Sequence, residues 1–196
     1  MKMTFIDHYD SFSFNVLDWL KRSMGPDVQI ARLTHDDQLG LARLKKNMTP
    51  IIISPGPGSP KDYPETLSLL NEALAKVPLL GICLGHQMLG TLAGGKIKKA
   101  MDPWHGTATE IKIAAKNWFS RELPESFNAV VYNSLIVDLE QKTSPDWQVL
   151  GVDKQNQLMM LSHRDLPIAS VQFHPESFAS DNVETLARNF LQKIQR

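Results

Sequence analysis

The sequence predicts an α/β fold: a mainly parallel, doubly wound sheet with helices on both faces and an antiparallel β extension. Three observations carry that expectation. Short apolar runs alternate with helix-like segments through the first half of the chain. Two of those runs, Ile51-Ile52-Ile53 and Leu79-Leu80-Gly81-Ile82, hold no charge at all, as strands covered on both faces require. From Thr107 onward, strand-like segments follow one another at short separations, the spacing of hairpins.

Taken in order, residues 1–6 are short and apolar-rich, a first strand, and residues 7–11 form a loop. Asp10 or Ser11 caps a helix whose apolar face holds Phe14, Leu17, and Leu20 or the stem of Lys21. Gly25-Pro26-Asp27 ends it. Residues 28–33 read as the second strand, 36–46 as a short helix, 51–53 as a buried parallel strand and 65–76 as the next helix. Pro78 opens a strand that runs into a second helical pattern, which Ala93-Gly94-Gly95 stops. Residues 96–99 are basic and read as a solvated face. Strand patterns follow at 107–113, 129–132, 136–139, 147–152 and 158–161. A buried strand at 167–173 ends in His174-Pro175-Glu176-Ser177. Residues 181–194 form a helix with Val183, Leu186, Ala187, Phe190 and Ile194 on one face. With no repeat, low-complexity tract or linker, residues 1–196 are expected to form one domain.

Composition narrows the function. Basic and acidic residues balance at 21 each, which removes the electrostatic case for nucleic acid or an anionic membrane surface. No apolar run approaches a membrane span, and the first residues lack signal-peptide architecture. Cys83 is the one cysteine, so no intrachain disulfide can form and a reducing, cytoplasmic setting is expected. No Cys/His metal cluster is visible, and no metal or cofactor is expected.

The chemistry concentrates at three strand ends, where ligands bind in sheets of this kind. Gly81-Ile82-Cys83-Leu84-Gly85 is the cysteine form of a nucleophile elbow. A sharp strand-to-helix turn lifts the side chain above the sheet, and glycines two residues away avoid collision. The helix N-terminus favours thiolate over thiol. Alone, Cys83 reads equally well as a small buried hydrophobe. The loop Ser54-Pro55-Gly56-Pro57-Gly58-Ser59-Pro60 lets backbone N–H groups approach a ligand, although by itself it reads first as an ordinary turn; it is no phosphate loop, since no Gly-Lys-Ser/Thr follows. His174 and Glu176, two residues apart in an extended segment, point the same way, so one loop can supply a base and its orienter. His8, His35, His86, His105 and His163 read as structural.

These stretches, in this order and spacing, resemble the class I (triad-type) glutamine amidotransferases, and in particular the small subunit (component II) of anthranilate or aminodeoxychorismate synthase. Asp10-Ser11-Phe12, Ser54 to Gly58, Gly81 to Gln87, His105-Gly106, Tyr132-Asn133-Ser134-Leu135 and Val171 to Ser177 carry the resemblance across nearly the whole chain. It implies a flavodoxin-like sheet and a triad of Cys83, His174 and Glu176. Cys83 would form a γ-glutamyl thioester, and His174, oriented by Glu176, would move the proton. Backbone N–H groups of Leu84 and the Gly56 loop would form the oxyanion hole. Gln87 and the Ser134-Leu135 backbone, with Gly56, Pro57 and Gly58, would hold L-glutamine. Ammonia would pass to a chorismate-utilising synthase large subunit (component I), in a heterodimer or heterotetramer, on either the anthranilate or the aminodeoxychorismate branch. A free-standing γ-glutamyl hydrolase and a non-catalytic regulatory protein are the alternatives. Three positions depart from the family pattern: Asn133 for histidine, Thr107 for lysine and His8 for asparagine.

Overall fold

The computed structural model describes residues 1–101, 106–139, 145–181 and 183–195. The strands are β1 (Lys2–Asp7), β2 (Gln29–Thr34), β3 (Ile51–Ile53), β4 (Leu79–Ile82), β5 (Lys96–Lys99), β6 (Thr107–Ile113), β7 (Ser126–Val131), β8 (Leu135–Asp138), β9 (Trp147–Val152), β10 (Leu158–His163) and β11 (Ile168–Val171). The helices are α1 (Ser13–Met24), α2 (Gln38–Lys46), α3 (Pro64–Ala73), α4 (Leu84–Leu92) and α5 (Glu184–Ile194), with a 3-10 turn at Pro60–Asp62 before α3.

Among the described residues, nine strands join one sheet in the order β2-β1-β3-β4-β11-β10-β9-β6-β7. The first five run parallel, in the flavodoxin-like order, and the next four continue antiparallel. The chain leaves β1 towards β2 and returns on its other side to β3. That reversal opens a crevice at the carboxyl edge, into which the loops after β1, β3, β4 and β11 project.

Alternation along each buried strand divides the core. Phe5, Ile52 and Leu80 pack with α1 and α5 against Val16, Trp19, Leu20, Leu186 and Phe190. Their neighbours Ile6, Ile51, Ile53 and Leu79 face α2, α3 and α4 through Leu41, Leu69, Met88 and Leu89. Period-2 side-chain geometry makes both faces apolar at once, and each fully buried aliphatic or aromatic side chain stabilises by roughly 1.5–3 kcal/mol. Among the described residues, no helix is long and apolar enough to cross a membrane.

Four local expectations need correction. Phe14 is 68% exposed rather than in the α1 core face, which is built from Val16, Leu17, Trp19, Leu20 and Met24; the Arg32 guanidinium covers the Phe14 ring at 5.3 Å. Neither Asp10 nor Ser11 is the helix cap. Phe12 holds that place, and the Asp10 carboxylate accepts from the Phe12 amide at 2.8 Å, an Asx turn one step earlier. Residues 96–99 are a strand, not merely a charged face. β5 pairs antiparallel with β8, and the two form a separate small sheet instead of β8 joining the main one. Ile97 packs with Ala93, Val137 and Leu158, while the lysines stay outward and blunt the edge. α5 begins at Glu184, three residues after the expected start, although Val183, Leu186, Ala187 and Phe190 are buried as its pattern requires.

Candidate active site

Cys83 sits between β4 and α4 with φ 53° and ψ −101°, a backbone conformation that L-residues rarely adopt. Its amide donates to the Val171 carbonyl at 2.9 Å, and its carbonyl accepts from Gln87 N–H at 3.1 Å, so the strain is held at both ends. The flanking glycines are sterically required. A Cβ on Gly81 would lie 2.4 Å from the Gly85 carbonyl oxygen, and one on Gly85 would lie 2.6 Å from the Ile53 carbonyl oxygen. Leu84 is the first residue of α4, where an N–H has no acceptor within the helix.

The β3 loop lies against this turn. A Cβ on Gly56 would meet the Leu84 side chain at 2.7 Å and that of His8 at 2.6 Å, so only glycine lets the two backbones come this close. Gly58 has φ 73°; Pro57 is exposed and its carbonyl accepts from the Tyr63 hydroxyl at 2.9 Å. His8 supports the loop from below. It is fully buried, its amide donates to Ser54 Oγ at 2.8 Å, and its ring contacts Ser54 Oγ at 3.1 Å and Thr66 Oγ1 at 3.3 Å. Burial, and then the charge of His35, push the His8 imidazole down to about 3 against a smaller opposing pull from Asp7. A neutral ring therefore fills the place of asparagine.

His174 follows β11. Its amide donates to Val130 O of β7 at 2.8 Å, and its carbonyl accepts from Ser180 Oγ at 2.9 Å. The ring is enclosed by Tyr132 and Phe12, both edge-on, with centroids at 4.9 and 5.7 Å. Nδ1 and Glu176 Oε1 are 2.6 Å apart, and both side chains are 2% exposed. Nε2 is buried and forms no hydrogen bond among the described residues, and the same holds for Glu176 Oε2. No hydrogen bond joins Sγ to the ring. Burial lowers the imidazole; the neighbouring Cys83 sulfur, and then the bonded Glu176 carboxylate, outweigh it and raise His174 well above its ordinary value.

The structure thus brings Cys83, Leu84, Gly56, His174 and Glu176 to one sheet edge. Gln87 and Leu135 join them through a bond from Gln87 Nε2 to Leu135 O at 3.1 Å. Ser134 is exposed beside them, and its carbonyl accepts from Ala100 N–H at 2.9 Å. Asn133 Nδ2 donates to the same Leu135 carbonyl at 3.0 Å, so the departure from histidine leaves the segment tied down. Thr107 is exposed at the start of β6, and His105 lies outside the described residues. His86 and His163 are structural. His86 is buried with Nδ1 2.9 Å from Ser170 Oγ and is pushed down to about 3, chiefly by burial. His163 Nδ1 accepts the amides of Asp165 and Leu166. Phe12, Tyr132 and Gln172 line the site although their types signalled no chemistry. Each falls inside a stretch singled out for its neighbours. Among the described residues, no cluster of three His, Cys, Asp or Glu side chains is placed to hold a metal.

The profile of the Glutamine amidotransferase class-I family matches residues 4–194. The chain belongs to that family. Among its relatives, the Azospirillum brasilense protein named anthranilate synthase component 2 is 37% identical over 97% of this chain and 95% of its own length. The Bacillus subtilis protein named aminodeoxychorismate/anthranilate synthase component 2 is 33% identical over 97% and 96%. A glutamine amidotransferase crystal structure from Thermotoga maritima superposes with a TM-score of 0.72 at 18% identity, over 90% of this chain and 76% of that one, and shares the fold.

In this amidotransferase the raised His174 sets a pH dependence. Held above its unfolded value, the imidazolium contributes stability that is complete below about 6.5 and lost as pH rises through the folded value. If His174 donates a proton in turnover, activity falls on the same alkaline limb. Glu176→Gln removes one of the charges that raise it. The expected result is an alkaline limb of kcat displaced to lower pH, with kcat reduced by up to about 10⁴-fold, as when the carboxylate that orients a catalytic histidine is replaced by its amide. A pH–rate profile with the limb unmoved would count against the assigned cause.

Proposed function

We propose that this chain hydrolyses L-glutamine to glutamate through a Cys83 thioester and delivers the ammonia to a chorismate-aminating synthase subunit. The observation that carries the reading is the strained Cys83 at the head of α4 beside a buried, hydrogen-bonded His174–Glu176 pair. Sγ, as thiolate, attacks the side-chain amide carbon of glutamine. The developing oxyanion is held by backbone N–H groups of Leu84 and the Gly56 loop. The C–N bond breaks as His174 gives its Nε2 proton to the leaving nitrogen, releasing ammonia. Neutral His174 then takes a proton from water, whose oxygen attacks the thioester; glutamate leaves, and thiolate and imidazolium are restored. Glu176 keeps the ring oriented throughout. Gln87, Ser134, Leu135, Gly56, Pro57 and Gly58 hold the glutamine backbone and chain.

The names of the Azospirillum and Bacillus relatives, each a component 2, support a further synthase component as partner on the anthranilate or aminodeoxychorismate branch; a heterodimer or heterotetramer is the expected assembly. The balanced charge and lone cysteine support a cytoplasmic protein without nucleic-acid or membrane partners. The test measures glutamate released by the purified chain, alone and with the synthase subunit of the same organism plus chorismate. Slow release alone, accelerated by the partner and matched mole for mole by aminated product, is the expected result. Full turnover alone, unchanged by the partner and extending to γ-glutamyl peptides, would instead identify a γ-glutamyl hydrolase.

A further inference from the structure

β11 and β4 are parallel neighbours with Val171 opposite Ile82. The next residues, Gln172 and Cys83, therefore stand side by side at the carboxyl edge. Gln172 is fully buried, its backbone fixed by a 2.9 Å bond from its amide to the Met159 carbonyl. Its Nε2 lies 3.6 Å from Cys83 Sγ, and its Oε1 accepts from Gln87 Nε2 at 3.3 Å. Gln87 Nε2 also donates to the Leu135 carbonyl. A backbone carbonyl only accepts, so Gln87 must turn its NH₂ towards Leu135. The same NH₂ faces Gln172, which must answer with oxygen. That leaves the Gln172 NH₂ directed at sulfur. One carbonyl thus sets the orientation of two amides that shape alone leaves ambiguous.

We propose that Gln172 is a positioning residue for the reaction set out above, its amide N–H holding the Cys83 thiolate and its orientation fixed by the Gln87–Leu135 end of the relay. The inference rests on the reading of Cys83 as nucleophile. A donor aimed at sulfur stabilises the anion more than the neutral thiol, because the bond is charge-assisted. It also restricts the sulfur to one position above the strained turn, which a positioned nucleophile requires.

The test uses the full chain. Gln172→Met keeps length and removes the donor. Gln172→Glu keeps shape and the acceptor for Gln87 but turns an oxygen towards sulfur. The readouts are the alkylation rate of Cys83 by iodoacetamide, its ultraviolet thiolate absorbance, and the urea midpoint as a check on folding. At neutral pH, Gln172→Met is expected to alkylate about tenfold more slowly, the loss of one hydrogen bond to a charged group, and Gln172→Glu more slowly still. His174, backed by Glu176, titrates beside Cys83, while neutral His86 does not, so variant and wild type are compared at each pH; the deficit closes at alkaline pH. A folded Gln172→Met protein alkylating at the wild-type rate overturns the proposal. If that variant fails to fold, Gln87→Leu decides: it frees the Gln172 amide to turn, and an unchanged alkylation rate overturns the relay. A diazoketone analogue of glutamine separates the two claims. Wild type that resists this reagent even with its synthase subunit bound refutes the site reading itself, whereas labelled wild type with indifferent Gln172 variants refutes the relay alone.

Discussion

Cys83→Ser is expected to abolish glutamine-dependent amination by the chain bound to its synthase subunit while sparing amination driven by ammonium salt. Sulfur is the attacking atom in the proposed reaction, and a serine hydroxyl at this position has no comparable fraction of anion at neutral pH. The glutamine-dependent rate should fall by about 10⁴–10⁶-fold, as when one member of a catalytic unit is removed. Serine is similar in size and occupies the same strained turn, held by the Val171 and Gln87 bonds, so the fold and the surface offered to a partner should persist. Ammonia bypasses the missing step, most effectively at alkaline pH where the free base is abundant. Aromatic product is measured with glutamine and, separately, with ammonium ion. Loss of both activities in a folded, associated variant rejects the division of labour. Retention of the glutamine-dependent rate rejects Cys83 as the nucleophile.

Gly81→Ala is expected to be the most destabilising single methyl addition near the site. The new carbon would stand 2.4 Å from the Gly85 carbonyl oxygen and 2.9 Å from the His86 amide nitrogen. Both belong to the backbone of α4, which cannot rotate aside as a side chain can. Gly81 is also held in register with Ile53 and Ser170 on either side. The helix must lift, and the cost is about 3 kcal/mol, the upper part of the overpacking range. Lifting α4 carries Leu84 away from Gly56 and Sγ away from His174. Urea unfolding should therefore show a lower midpoint together with lost thiol reactivity. An unchanged midpoint with full reactivity would refute the steric reading of this glycine.

The sequence exposed what depends on local constraint. Ile51 to Ile53, with no charge to place, could only be a doubly covered strand, and it is. Gly81 and Gly85 flank a turn whose geometry excludes any Cβ, so the elbow was visible in five residues. His174 and Glu176 were readable because one extended segment carries both. Other features depend on tertiary partners. Phe14 reads as a core residue until Arg32, from a strand apart in sequence, is found over its ring. Lys96 to Lys99 lack enough alternation to announce a strand, and only β8 makes them one. Gln172 has no chemistry of its own. Its significance comes from β11 lying beside β4, a pairing across 89 positions of chain between Gln172 and Cys83.

The anchoring of His174 to β7 has a consequence for the molecule's behaviour in solution. β7 ends the nine-stranded order, so its outer rim would ordinarily offer free amides and carbonyls to another chain. The segment 174–181 takes three of them. Val130 bonds through its carbonyl to His174 and through its amide to Ser180 Oγ, and the Asn128 carbonyl accepts from Asp181 N–H. The strands from β11 round to β7 are thereby stitched at a seam, and the proposed proton carrier is one of the stitches. This segment cannot swing clear of the sheet without baring a sticky border, so proper seating of the imidazole and protection against self-association are secured by the same few bonds.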